Sequence, residues 1–224
     1  MSTVSSTHSA PPDAPLPPRI PPLANGDRLK LDEYWRRYLA MPGVKNAELV
    51  EGIVYMPSPV SAEGHSEPHS RVSTWLGVYS SQCKGVIAGD NATLRLDEDN
   101  APQPDAYLRK VPGQSRVVNG YLEGAPEFIA EISGSTASFD LHGKLRTYRR
   151  HRVREYLVHR TWDGEVDWFA LQGEELMRQA PDEKGVYRSR EFPGLWLDSA
   201  ALLAGDLTRL LQTLQAGIAA EGPK

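Results

Sequence analysis

Apolar and polar positions divide this chain into short segments, and the most informative pattern lies in residues 126–160. Phe128, Ile129 and Ala130 form an apolar run, Glu131 breaks into it, and Ile132 follows. The next stretch, Gly134 to Ser138, is rich in loop and helix-cap types. Residues 138–152 then read as a helix, because at 100° per residue Leu141, Leu145 and Tyr148 fall in one sector. Lys144 lies on the edge of that sector, one turn after Asp140, so its methylenes can follow the apolar seam while its ammonium reaches toward the strand end. Residues 153–159 read as a second strand, which makes the segment strand–helix–strand.

The remaining pattern surrounds this unit with shorter elements. Residues 29–39 read as an amphipathic helix with Leu31, Tyr34, Trp35 and Leu39 inward. Residues 47–56 carry the clearest hairpin signal, with Glu51-Gly52 as the turn between AELV and IVYM. Pro68 can open a helix through 69–82, with Val72, Leu76 and Tyr79 on one side. Residues 86–88, 92–96 and 104–108 are short strands, 97–100 an acidic turn and 121–124 a connecting loop. Residues 166–171, 176–179 and 186–189 suggest antiparallel strands, and 195–214 a last strand turn and a C-terminal helix.

Length and composition narrow this picture. The 224 residues suffice for one well-filled domain. Residues 1–22 contain seven prolines and few large apolar side chains, which predicts disorder. The expected division is a tail over 1–25 and one domain over 26–224. The net charge of −4 argues against nucleic-acid binding over the whole surface, although a local basic patch is enough to bind a polyanion. One cysteine, Cys83, excludes an intrachain disulfide and a cysteine-rich zinc cage. Together with an N-terminus lacking a basic and apolar leader, it points to a cytoplasmic protein. No apolar run approaches 18 residues, so no membrane partner is expected.

The candidate chemistry rests on two carboxylates. Asp105 follows Pro104 at a strand start, and Glu131 sits 26 positions later at a strand end. A carboxylate in a buried strand is costly unless something cationic meets it. Brought onto adjacent strands, the pair would suit Mg²⁺ or Mn²⁺, with a lysine to orient water and offset phosphate charge. On residue types alone the alternative stands: Asp105 caps a turn, Glu131 pairs with an arginine, and Lys144 lies at the surface. Arg146, Arg149 and Arg150 belong to the one strongly basic block, which fits either a nucleic-acid backbone or a solvated face. His69, near a helix start, is a candidate phosphate contact or a capping residue. His65 and His69 stand at i and i+4, but Pro68 argues against a helix through His65, and the intervening glutamate is misplaced for a zinc peptidase. Phosphate-binding glycine loops and a serine-hydrolase elbow are absent from the sequence.

The order of these pieces is more specific than any one of them. AELVEGIVYM, MPSP, His69 opening a helix, PQPDAYL, then EFIAEIS…ST…D…K…Y…VREYLV and REFPGLWLDSAALL together resemble the Uma2 family of restriction-endonuclease-like proteins. That family belongs to the PD-(D/E)XK nuclease superfamily, and the likeness spans about residues 26–203. The resemblance implies an α/β fold, a restriction-endonuclease-like mixed sheet flanked by helices. It makes Asp105 the PD aspartate, Glu131 the (D/E) residue and Lys144 a lysine moved into the next helix, since Ser133 stands where the lysine usually does. Glu51 matches an early hairpin glutamate, a further metal ligand. Gly134 replaces the family's usual proline, and YLVHR departs from its customary YW-hydrophobic-VD. The implied activity is Mg²⁺-dependent hydrolysis of nucleic acid, DNA first, with Mn²⁺ as substitute and a homodimer as a possible assembly. A non-catalytic module that binds nucleic acid or protein on the same scaffold is the competing expectation.

Overall fold

Glu131 lies in a strand, Phe128–Ser133, whose six residues are all buried, so this strand runs through the centre of the molecule. The computed structural model describes residues 19–222. In chain order the elements begin with helix α1 (Leu31–Leu39), strands β1 (Glu48–Val50) and β2 (Ile53–Tyr55), and helix α2 (Glu67–Gln82). Strands β3 (Val86–Asp90), β4 (Leu94–Arg95), β5 (Ala106–Lys110), β6 (Arg116–Val118), β7 (Tyr121–Glu123) and β8 (Phe128–Ser133) follow. Helices α3 (Ala137–Phe139) and α4 (Leu145–Arg150) lead to β9 (Glu155–Arg160), β10 (Glu165–Gln172), β11 (Glu175–Arg178), β12 (Val186–Arg188) and β13 (Trp196–Asp198). Helices α5 (Ser199–Ala204) and α6 (Leu207–Glu221) close the chain.

The main sheet has the order β11–β10–β9–β8–β5–β3. β8 and β9 pair in parallel, and the other neighbours pair antiparallel. Both faces are covered, which explains why β8 and β9 read as nearly continuous apolar runs. Phe128, Ala130 and Ile132 face Trp75 and Leu76 of α2 with Leu210 and Leu214 of α6. Ile129 joins Tyr148 of α4 and Tyr156 of β9 on the opposite face. Side chains alternate along a strand, so Glu131 points to the α4 side with Ile129. Edge-on packing of Phe128 and Trp75 on Trp168, with ring centres 5.4 and 6.1 Å apart, fills the centre of the α2 face.

The hairpin is fixed from both ends. Glu51 and Gly52 have φ of 51° and 73°, the pair of positive values that a two-residue turn needs to match strand twist. Tyr34 of α1 packs with Leu49 and Val54 and donates its hydroxyl to the Ala47 carbonyl at 2.6 Å.

The mixed sheet flanked by helices matches the fold expected from the sequence. Several local expectations are corrected. Residues 121–124 are not a loop; β7 pairs with β4 and β6. Leu39, expected inward, is 59% exposed because it sits at the helix end. A π-helical turn, Ala62–Ser66, carries the chain through His65 into α2, so Pro68 at the start of α2 does not prevent a helical turn there. The crossover helix is continuous but not uniform: a π-helical turn, Asp140–Lys144, joins α3 to α4. The disorder expected for residues 1–22 falls largely outside the described residues.

Glu155, at the start of β9, is buried and accepts hydrogen bonds from the Ser189 hydroxyl and the Arg190 amide. Burial lifts its carboxyl from 4.5 to about 7 despite those bonds. The folded chain therefore holds a proton that the unfolded chain releases between those values, and stability falls as pH rises through that window. At 1.36 kcal/mol per unit, the full loss is about 3 kcal/mol. Glu155→Gln should be more stable than the wild type at pH 8 and close to it at pH 4.5. Equal melting temperatures at pH 8 would refute the assignment.

Candidate active site

The register of β5 and β8 brings the two sequence-predicted carboxylates together. Ala106 pairs with Ala130, so Asp105 and Glu131 lie one step further along neighbouring strands. The Ile132 amide donates to Asp105 Oδ2 at 2.7 Å, which ties the aspartate to the strand that carries the glutamate. From the next element, Lys144 brings its Nζ to 3.0 Å from Glu131 Oε1 and 3.0 Å from Glu48 Oε1, with Asp140 Oδ1 at 3.7 Å. Tyr148 donates its hydroxyl to the same Glu131 Oε1 at 2.8 Å. Both bonds fall on Oε1, leaving Oε2 outside them. Glu48, His65, Asp105, Glu131, Asp140 and Lys144 all line one cavity of about 250 Å³.

The π-helical turn places Lys144. It starts at Asp140 and ends at Lys144, and both side chains turn inward, buried to 4% exposure or less. Asp140 is itself fixed by the Ser133 hydroxyl, which donates to its Oδ2 at 2.6 Å. Such wide turns inside helices recur at functional sites.

Electrostatics separate the two central acids. Burial pushes Glu131 well above the ordinary carboxylate range, and Asp105, Asp140 and Glu48 add to this against the opposing pull of Lys144. Burial raises Glu48 as well. Asp105 moves the other way: burial alone would raise it, but the hydrogen bond and charge of His65, with the Ile132 amide, bring it below its usual value. Burial would also lower Lys144, yet Glu131, Glu48 and Asp140 outweigh that and hold the ammonium well above its usual range. Divergent values within one cavity are a mark of sites built for chemistry.

Two histidines close one side. His65 Nε2 lies 3.2 Å from Asp105 Oδ1, and His69 Nε2 donates to the Asp105 backbone carbonyl at 2.8 Å. His69, a candidate phosphate contact, thus supports the backbone of Asp105. Their rings are 5.9 Å apart.

The remaining candidates lie elsewhere. Glu51 does not reach the cavity: it forms the tip of the hairpin and pairs with Arg146 at 2.8 Å. Glu48, on the strand before the tip, takes the place expected of Glu51. Alternation opposite buried Leu49 was the sequence signal that could have identified it. Arg146, Arg149 and Arg150 line a separate cleft of about 350 Å³ with Glu51, Glu174 and Glu175, where Arg149 pairs with Glu175 at 2.7 Å. His65 was missed because the proline argument stopped the helix short of it.

Among the described residues, no three histidine, cysteine, aspartate or glutamate side chains converge as a closed metal cage. Asp105 and Glu131 are nevertheless hard oxygen donors, and Mg²⁺ is commonly held by one or two carboxylates with water and substrate phosphate completing its shell. Glu131, Glu48 and Asp140 gather on the single ammonium of Lys144, and a divalent cation beside Asp105 and Glu131 would offset carboxylate charge that Lys144 leaves uncompensated.

A family model, Uma2, described as "Putative restriction endonuclease", matches residues 31–200. Among solved structures, the fold is similar to the crystal structure of a "putative nuclease belonging to DUF820" from Anabaena variabilis ATCC 29413. The TM-score is 0.58 at 15% identity, covering 76% of this chain and 97% of that one. At that identity the likeness concerns the fold. A search of curated proteins gives no match.

Proposed function

This chain belongs to the Uma2 family, and on that premise we propose that it is a metal-dependent endonuclease hydrolysing phosphodiester bonds of nucleic acid. DNA is the leading substrate and Mg²⁺ the leading cofactor, with Mn²⁺ able to replace it. The observation that carries this reading is the Lys144 ammonium, buried 3.0 Å from both Glu131 and Glu48 in the cavity that Asp105 also lines.

Asp105 and Glu131 would hold the cation, and Glu48 pairs with Lys144 at 3.0 Å in the same cavity. When bound, the cation supplies Lewis-acid polarisation of the phosphate and an acidified water. Hydrolysis adds the water oxygen to phosphorus, breaks one phosphorus–oxygen bond and passes a water proton to the leaving oxygen, and negative charge builds on the phosphorane on the way. Lys144 is placed to offset that charge from a fixed position, which avoids reorganisation during the reaction. Tyr148 orients Glu131 through its hydroxyl, and Asp140 and Glu48 keep Lys144 charged. His65 and His69 hold the side chain and backbone of Asp105. The Arg146–Arg150 cleft supplies cationic surface for the phosphate backbone.

The competing reading, a scaffold that binds without cutting, draws on the ion pairs of Lys144 and on the lack of a closed ligand cage among the described residues. Titration calorimetry with Mn²⁺ separates the two. The wild type should bind the ion, and Asp105→Ala should not. No binding to the wild type, or equal binding to both, would favour the scaffold.

A further inference from the structure

Trp162 is the largest exposed apolar side chain among the described residues, at 71% exposure, and the chain around it is built to hold it still. Thr161, just before it, donates its backbone amide to the Ser133 carbonyl at 2.9 Å and its hydroxyl to the Gly64 carbonyl at 2.7 Å. Arg160 pins the same turn by donating to Asp167 at 2.7 Å and pairing with Asp163. Gly64 and Gly134 lie against the indole edge. A Cβ on Gly64 would fall 3.2 Å from Trp162 Nε1, and one on Gly134 would fall 3.4 Å from it. The two glycines adjoin the catalytic cavity directly: His65 follows Gly64, and Gly134 follows the end of the Glu131 strand.

The indole flanks a second cavity of about 520 Å³, lined also by Ser61, Ala62, Glu63, Gly64 and Thr161. Its wall continues into the catalytic cavity, which is lined by Ser58, Val60 and His65 of the same segment. Glu63 contributes the only ionisable group among these lining residues, and a carboxylate repels phosphate. The cavity therefore suits the uncharged part of a nucleotide whose phosphate lies on the His65 side. A base inside a duplex has both faces covered, so the indole can take an unpaired base, or one at a duplex end, but not an interior pair.

We propose that Trp162 is a stacking platform for an unpaired nucleobase next to the scissile phosphate, which makes single-stranded or frayed nucleic acid the preferred substrate. The inference rests on the nuclease reading of the adjoining cavity. Stacking of this kind is sequence-tolerant, because every base has a π face. Trp162 acts as a positioning residue, outside the reacting atoms.

The test is fluorescence and equilibrium binding with the full chain, metal-free in chelator, using a single-stranded oligonucleotide and a blunt duplex of the same sequence. Trp75 and Trp168 are fully buried and Trp35 and Trp196 are partly covered, so quenching lost in Trp162→Ala reports this indole. Trp162→Ala should weaken single-strand binding about 5- to 150-fold, leave duplex binding unchanged, and lose the quenching. Trp162→Phe should retain most of the affinity. An oligonucleotide with one abasic position should show the same loss with the wild type, and no further loss when combined with Trp162→Ala. If the wild type binds nucleic acid but Trp162→Ala binds single strands equally well, this inference fails and the nuclease reading stands. If the wild type binds no nucleic acid in chelator and none with Ca²⁺ in place of Mg²⁺, both fail. Loss of self-association in Trp162→Ala, with nucleic-acid binding intact, would also overturn the platform.

Discussion

Lys144→Ala is expected to lower the stability of the folded chain by about 3–5 kcal/mol near neutral pH, the usual cost of leaving buried charge without its partner. The lysine is 4% exposed and is the cation that Glu131, Glu48 and Asp140 share. Its removal leaves like charges facing one another in a buried site. The remaining acids should then resist ionisation further, so the folded state loses stability as pH rises and regains it as pH falls. A divalent cation that binds only the folded chain should also restore stability by mass action. Denaturant unfolding at pH 5 and pH 8, with and without Mg²⁺, measures both effects. A stability within 1 kcal/mol of the wild type at pH 8 would show that the ion cluster is solvated.

Glu131→Gln separates chemistry from folding more cleanly. The amide oxygen can still accept from Lys144 and Tyr148, so the geometry at Oε1 is kept. What disappears is one member of a carboxylate group in surplus over its cation, a group whose burial already pushes Glu131 upward. The melting temperature at pH 8 should therefore hold or rise. Cleavage should fall about 10²–10³-fold, the typical loss for one preorganised charged or polar group, or roughly 3–4 kcal/mol in barrier at 1.36 kcal/mol per decade. Activity and stability thus move in different directions. A purely structural ion pair would make them fall together.

Much of this site was legible because its residues break local rules. Glu131 interrupts an apolar run, and only a buried strand beside a cation explains that. Glu51-Gly52 marked the hairpin because both positions need positive φ. Helical angle put Lys144 beside Tyr148, but its place in the site came from the family resemblance, since on residue types alone it could equally have lain at the surface. What stayed hidden depended on departures from regular geometry or on partners distant in sequence. A wide turn, Asp140–Lys144, has no sequence signature at that periodicity, and neither has Ala62–Ser66, which carries His65 to Asp105. Glu51 and Glu48 sit three positions apart, and Glu51 lies in the turn while Glu48 lies in β1 opposite the face of buried Leu49, so it is Glu48 that meets Lys144. In the β4–β7–β6 sheet, β4 fell within a strand read from the sequence, but β6 and β7 are three residues long, too short to show alternation. The basic run was visible as charge, but its ion pairs with Glu51 and Glu175 were not, because they join segments 95 and 26 residues apart.

We propose that Asp105, Glu131 and Lys144 together form a metal-dependent phosphodiesterase site. Asp105→Asn addresses it directly, because the asparagine oxygen can still accept from the Ile132 amide while the carboxylate charge is lost. Wild type and variant are incubated with mixed single- and double-stranded nucleic acid in Mg²⁺, Mn²⁺ or chelator, and melting temperature is recorded on the same samples. The expected result is cleavage by the wild type in metal only, and none by a variant that melts within a few degrees of it. Cleavage by folded Asp105→Asn at the wild-type rate, or wild-type cleavage undiminished in chelator, would contradict the assignment.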